Sequence, residues 1–565
     1  MFGLIFSSVM VILFSTIMGV FMAVLSNVFV AGSKYVAGLW TTEFSYFDFS
    51  VFGVSVPFAV VGLALAAIII YLLRRLFFLD RFYGPADSIY AAHLAKSNID
   101  TGKGLQSTLI AFVSIAGGGG PVGQYGPLVH LGALVGSSFH KVLTVTKTSS
   151  DLWIGCGVAA AIAAGFQAPI AGVVFAHEAV LRHLSFRAIT PILVASITSY
   201  ALTKNWFNLE PLFYIQFPSV ELLWFIPSLL ICGFAFGIVA VLFMRSLLFF
   251  AAMGKKFEHH IFAGLFIAFL TCAAVGTVFP AVLGFGSATI NSIFVGGLTL
   301  GTLLALLISK LLASSVAIGF GMYGGVFAPA LFLGASAGGF LTKLFGVLGV
   351  VLPAHLLPIA GMASVTACVV GAPLSMVIII LELTLSYELA MIAMVSTAVS
   401  IQVASLWFNH SFFDEQLLRR GINLLKGRTD LQLNQMKVTS ILTQEYVFLP
   451  PGALIKDGIN DLKKNEKSEG YCVDNQNKFI GKFLLVELLG ADENLALVDF
   501  CLSAPIVLSE SSSVLDAVKI ATDFVGESMP VLSSDTGQVL GVISEADIFK
   551  AYINVQKEAS KIEHV

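Results

Sequence analysis

The sequence predicts an all-α polytopic membrane domain followed by a soluble α+β domain. Three observations predict it: long stretches without charge, a change of composition near residue 420, and an internal repeat confined to the region before that change. Of the 565 residues, 57% are hydrophobic and 12% are charged, against about 25% charged in soluble proteins. No Asp, Glu, Lys or Arg occurs in residues 1–33, 49–73, 104–140 or 344–381. A spanning helix needs about 20 apolar residues, so each run can supply at least one span. The first run is longer than the apolar stretch of a signal peptide and lacks its basic start and small-residue cleavage site. It is expected to persist as the first span.

Composition also excludes several classes. Cys156, Cys232, Cys272, Cys368, Cys472 and Cys501 stand singly, with no CxxC pair, which argues against a zinc ribbon, a redox centre or a disulfide framework. A formal net charge of −3 is too small to imply a nucleic-acid partner. No metal and no enzymatic constellation is expected. The basic cluster Arg419, Arg420, Lys426 and Arg428 closes the apolar region and favours the cytoplasmic side. The expected organisation is a transmembrane domain over 1–420, with halves of about 1–205 and 220–420, a linker over 421–435, and a soluble domain over 436–565. In that last part strand-like runs such as "SMPVLSS" alternate with amphipathic ones such as "SSVLDAVKIATDF".

The repeat appears when the membrane part is set against itself. "GQYGPLVHLGALVG" (123–136) matches "GVFAPALFLGASAG" (325–338), and "APIAGVVFAHE" (168–178) matches "APLSMVIIILE" (372–382). The two pairs occur in the same order at nearly the same separation, so two homologous halves are expected. A Gly-rich segment breaks the backbone at membrane depth, and the following Pro suits the first turn of a new helix. Such breaks are tolerated only where they are buried in protein or line a cavity. Their free N–H groups and positive dipole ends attract anions, and transporters built from inverted repeats place their sites in this way. With no carboxylate cluster at these motifs, the residues point to anion transport.

At these motifs the sequence resembles the CLC chloride channel and transporter family, over nearly the whole chain. "GGVFAP" (324–329) stands as the family's GxFxP motif and "GQYGP" (123–127) in the place of its G-K/R-E-G-P motif. The soluble part resembles the paired CBS domains of many members. The resemblance implies a homodimer with one pathway per subunit, a bacterial inner-membrane location with the CBS pair in the cytoplasm, and chloride or a similar small anion as cargo. It places anion contacts at Gly123, Gln124, Gly126, Val326, Phe327 and Phe413, with Ser88 standing for a displaced serine of the loop "YGPADSI" (83–89).

The departures are as informative. The gating glutamate of the family falls on Tyr125, and the inner proton-accepting glutamate on Ala179, beside Glu178 and His177. The central anion-touching tyrosine falls on Phe413, which has no hydroxyl. Asp87 would repel an anion unless turned away or capping its helix. Each position also has a plainer reading. Tyr125 could be an interfacial aromatic, Phe413 packing, and Glu178 and Glu382 a symmetric structural pair, although an ionisable residue inside an apolar helix is by default a functional candidate. His177 and Glu178 do not form a zinc-protease HExxH motif, because Leu181 occupies the second His position. His130 reads as a core histidine. In the soluble part, Ser544 and Asp547 match the Ser-x-x-Asp pattern by which CBS domains hold an adenine nucleotide, while the first unit has Leu484 and Glu487 instead; a structural role in dimerisation is the alternative. The functional expectation is an uncoupled, channel-like chloride pathway. A proton-coupled chloride antiporter using other groups is the alternative, and a CBS-containing magnesium transporter is disfavoured because cation sites need carboxylates.

Overall fold

The computed structural model describes residues 2–43, 49–51, 54–94, 99–142, 149–207, 222–443, 446–502, 506–524 and 526–563. The chain forms two compact units, Met1–Ile422 and Asn423–Val565. Among the described residues, eight helices are long and apolar enough to cross a membrane. The expected junction between the halves, 205–220, lies largely outside the described residues.

The first half contains α1 (Phe2–Gly38), a short hairpin of β1 (Phe49–Val51) and β2 (Val54–Val56), α2 (Ala59–Leu76), α3 (Pro85–Ala92), α4 (Thr101–Ala116), α5 (Tyr125–Val142), α6 (Ser150–Phe166), α7 (Pro169–Phe175) and α8 (Phe186–Leu202). The second contains α9 (Leu222–Lys255), α10 (Ile261–Val278), α11 (Ser287–Phe294), α12 (Leu300–Gly319), α13 (Phe327–Val347), α14 (Leu356–Val370), α15 (Pro373–Thr384) and α16 (Tyr387–Ser405), followed by α17 (Phe412–Leu418). Helices α2, α3, α5 and α7 begin at 59, 85, 125 and 169, and α10, α11, α13 and α15 at 261, 287, 327 and 373, a step of 202 to 204 residues throughout. The repeat therefore covers far more than the two motif pairs visible in the sequence.

Local chemistry explains the helix ends. Pro85, Pro169 and Pro373 start α3, α7 and α15, where the missing N–H is no loss and φ is already helical. Helix α6 stops on Gln167 with φ 56° and α14 on Gly371 with φ 77°, the left-handed residue that commonly terminates a helix. Helix α3 has only 8 residues, most of them buried, too short to span and a broken piece of the kind tolerated inside protein; α7 runs on into the π-helical turn Ala176–Leu181.

The halves are joined by reciprocal contacts. The Gly123 N–H donates to the Gly325 carbonyl and the Gly325 N–H to the Gly123 carbonyl, both at 2.7 Å. Glu178 of the first half accepts from the Leu374 and Ser375 N–H groups at the start of α15 (2.9 and 2.8 Å), and Glu382 of the second from Ile170 and Ala171 at the start of α7 (2.9 and 2.8 Å). A contact matched by its exchange between repeats is the signature of a local two-fold. Within each half the packing is equally tight. A Cβ on Gly132 would lie 2.4 Å from the Gly157 carbonyl oxygen, and one on Gly334 2.2 Å from that of Gly361. Small residues are what let membrane helices approach so closely.

In the soluble unit, strands β3 (Val447–Leu449), β4 (Glu469–Val473) and β5 (Phe479–Leu484) form one sheet and β6 (Leu508–Ser509), β7 (Ser528–Leu532) and β8 (Val539–Ser544) another. Each sheet pairs its first two strands parallel and its last two antiparallel, so this unit is also an internal repeat. Glu469 ties the repeats together: it accepts from the Glu527 and Ser528 N–H groups at 2.8 and 2.9 Å and pairs with Lys482 at 2.7 Å. Within the stretch expected to be a linker lies the helix α18 (Arg428–Gln435), whose Leu433 packs with Val514, Leu515 and Ala551. Residues 428–435 thus belong to the core of the soluble unit.

The glycine contacts give a direct test. Gly334→Val should cost about 1–3 kcal/mol or more, because the clashing atoms are backbone and cannot rotate away. Gly301→Ala, where no atom lies within 4 Å, should leave the melting temperature in detergent within a degree or two. Equal behaviour of the two variants would contradict the close α13–α14 packing.

Candidate functional site

The Gly123–Gly325 bridge brings the starts of α5 and α13 together. Only glycine fits there: a Cβ on Gly325 would lie 2.7 Å from the Gly126 nitrogen, and one on Gly126 2.7 Å from the Gly325 Cα. The first intrahelical bonds run from Leu128 to Gln124 and from Ala330 to Val326. The preceding N–H groups lie at the positive ends of two helix dipoles, where negative charge is stabilised. Gly126 and Phe327 sit in these first turns, while the Gly123 N–H is engaged with Gly325. Gly123 thus acts as part of the bridge, not as the free anion contact the sequence suggested.

Tyr125 is completely buried at this junction. Its ring stacks on Phe166 at 3.7 Å and meets Phe285 and Phe327 edge-on at 6.0 and 5.7 Å, while Phe166 and Phe327 lie 4.9 Å apart. Four aromatic rings therefore close the space between the two helix starts. The Tyr125 hydroxyl makes no hydrogen bond of good geometry, and the Gln124 side chain lies beside it. Phe166 and Phe285 were not singled out in the sequence. Phe285 is detectable in hindsight, because the 202-residue step places it opposite Tyr83.

On the other side of the bridge is a cleft of about 510 Å³. Gly84 to Asp87 at the start of α3, Tyr323 to Val326 leading into α13, and Phe412, Phe413 and Gln416 of α17 line it. Val326 and Phe413, predicted from distant parts of the sequence, are thus brought together. Among the described residues the charged lining comprises five basic groups (Arg74, Arg81, Lys255, Arg419, Arg420) and three acidic ones (Asp80, Asp87, Glu258). The excess of two positive charges favours anions in a confined space.

Asp87 does not repel an anion here. Its carboxylate accepts from the Gly84 N–H at 3.0 Å, from Arg81 at 2.7 and 3.1 Å, and from Arg420 at 3.0 Å. It caps α3 and is paired with two guanidinium groups, so the cluster is net positive. Ser88 departs from the sequence expectation. It is fully buried, and its hydroxyl shares a 2.8 Å hydrogen bond with Nδ1 of His130. It faces across to α5, away from the cleft, because the α3 turn that directs Asp87 to the arginines directs the next residue inward.

Glu178, a candidate for proton transfer, is held as a helix cap: besides the two N–H groups of α15, the Ser375 hydroxyl donates to it at 2.6 Å. Three donors therefore converge on this one carboxylate and hold it in place. His177 lies beside it in the π-helical turn Ala176–Leu181, its Nδ1 3.0 Å from the His183 carbonyl oxygen. In the soluble unit the Ser544 hydroxyl donates to Asp547 at 2.6 Å and accepts from its N–H at 3.2 Å. That is a capping box opening the helix α22 (Glu545–Glu563), of the kind Ser513 and Asp516 form elsewhere in the unit.

The profile of the voltage gated chloride channel family matches residues 65–405, more than half of the chain. The chain belongs to this family. It is accordingly a multi-pass integral membrane protein. A CBS domain profile matches residues 498–554, the second repeat of the soluble unit. Among the relatives, a putative chloride channel protein ClcB-like of Ralstonia nicotianae is 28% identical over 320 residues, 54% of this chain and 73% of its own. The voltage-gated ClC-type chloride channel ClcB of Citrobacter koseri is 28% identical over 317 residues, 55% of this chain and 74% of its own. Among solved structures, a slow cyanobacterial Cl⁻/H⁺ antiporter superposes with a TM-score of 0.64 at 20% identity, covering 73% of this chain and 97% of its own. A eukaryotic CLC transporter does so at 0.61 and 18% identity, covering 97% of this chain and 99% of its own. The mostly helical membrane architecture of the family is therefore shared.

The capping role of the two carboxylates is testable. Glu178→Gln and Glu382→Gln each leave one oxygen to serve N–H groups that now have two, and should each lower stability by about 1.5–3 kcal/mol. The pH profile of anion flux in surviving Glu178→Gln protein should match that of the parent. A shifted or abolished pH dependence would show that Glu178 carries protons.

Proposed function

We propose that this protein passes chloride, or a similar small anion, down its gradient without proton coupling. The pathway runs from the basic cleft, past the start of α13, to the aromatic junction around Tyr125. The observation that carries this reading is Tyr125 itself, a neutral ring stacked at 3.7 Å on Phe166 where the resemblance places a gating glutamate. A phenol ionises near pH 10, so at neutral pH it cannot compete with an anion as a carboxylate does. The capping of Glu178 supports the same conclusion, since it removes the nearest alternative proton carrier. In the cell the protein is a homodimer with one pathway per subunit, set in the inner membrane with the CBS pair in the cytoplasm. The mutual capping of Ser544 and Asp547 supports a structural role for that pair over an adenine-nucleotide site.

Chloride efflux from proteoliposomes, recorded together with external pH, tests the proposal. Flux without proton movement, varying little between pH 5 and 8, is expected. Tyr125→Ala should raise the flux by opening the junction. Stoichiometric proton uptake against a chloride gradient would contradict the uncoupled mechanism and identify an antiporter.

A further inference from the structure

Two side chains in the cleft are left without the partners their chemistry requires. Tyr323 is 5% exposed and lines the cleft, yet its hydroxyl is buried with no hydrogen-bond partner. Its ring is fixed from two sides, by Phe82 at a centroid distance of 5.1 Å and by the Arg74 guanidinium at 5.2 Å. Arg74, in the last turn of α2, also lines the cleft, and its Nε is buried without a partner. A buried donor without an acceptor is costly, and natural proteins rarely leave one unsatisfied. Here two donors, one neutral and one cationic, stand together, and among the described residues no carboxylate bonds either of them.

Their position adds to this. Tyr323 lies on the segment between α12 and α13, two residues before the bridge residue Gly325. The first turn of α13 therefore opens beside the phenol. Phe413, which brings no hydroxyl, lines the same cleft from α17. A phenol hydroxyl, a guanidinium and the positive end of a 21-residue helix all favour the same kind of guest, a small monovalent anion stripped of part of its hydration.

We propose that Tyr323 and Arg74 form an anion-binding site at the cleft end of the pathway, with the Tyr323 hydroxyl donating to a halide and Arg74 supplying the charge. This rests on the reading of the protein as a chloride pathway and adds two contacts to it. Arg74 holds the ring in place by its cation–π contact, so the phenol is oriented before the anion arrives. Entry from the cleft then proceeds from this pair toward the starts of α3 and α13.

The test is chloride binding to the full-length protein in detergent, measured by titration calorimetry, for the parent, Tyr323→Phe and Arg74→Gln. Tyr323→Phe keeps the ring and both of its stacking contacts, so its melting temperature should equal that of the parent. Its chloride affinity should fall roughly 10- to 100-fold, the loss expected for one hydrogen bond to a charged group. Arg74→Gln should weaken binding as well. Unchanged affinity in a stable Tyr323→Phe protein would overturn the proposal, with the hydroxyl then serving water only, and would leave the chloride pathway standing. Absence of chloride binding to the parent protein would overturn both.

Discussion

The reciprocal bond between Gly123 and Gly325 is the contact on which the membrane unit depends. Two backbone amides at 2.7 Å force the starts of α5 and α13 to one place, and the absence of Cβ atoms at 123, 126 and 325 permits it. Everything at the junction follows from that approach. The helix dipoles add at a common point. The aromatic side chains just beyond the bridge, Tyr125 and Phe327, are pressed against one another with Phe166 and Phe285. A single Cβ at Gly325 would push apart both helix starts and the ring cluster they carry.

Asp87, Glu178 and Glu382 cap the starts of α3, α15 and α7, while among the described residues no carboxylate bonds the starts of α5 and α13. Asp87 pairs with Arg81 and with Arg420, which is 333 positions away in the chain, and so closes the cleft between α3 and the segment after α17. Glu178 and Glu382 exchange caps between the halves. Asp87, Glu178 and Glu382 are thereby each bound to N–H groups or guanidinium groups. For these three carboxylates the cost of placing ionisable groups at membrane depth is offset by hydrogen bonds, and the charge of the cleft's described lining is positive.

The fold was largely legible because repeats and charge-free runs are sequence-local properties. The position of Tyr125 was legible for the same reason, since a residue between two glycines and before a proline has few alternatives. What escaped was set by contacts between distant segments. Nothing near Asp87 in the sequence points to Arg420. Ser88 was read as an anion contact because the resemblance sets the loop 83–89 against a serine-bearing one, but its side chain is turned about 100° from that of Asp87 and meets His130 instead. Ser544 and Asp547 carry a pattern that also describes a capping box, and the helix that follows them makes use of it. The stretch 428–435 was placed in a linker, yet Leu431 and Leu433 are both buried, and Leu433 packs in the soluble core.

The central claim is that the anion passes where α5 and α13 meet. Diffraction from crystals grown in bromide, recorded at the bromine absorption edge, tests it most directly. The account predicts an anomalous peak between the cleft and the Tyr125 ring, within hydrogen-bonding distance of the N–H groups that open α13. Bromide found only elsewhere in the membrane unit, with that region empty at saturating halide, would contradict it.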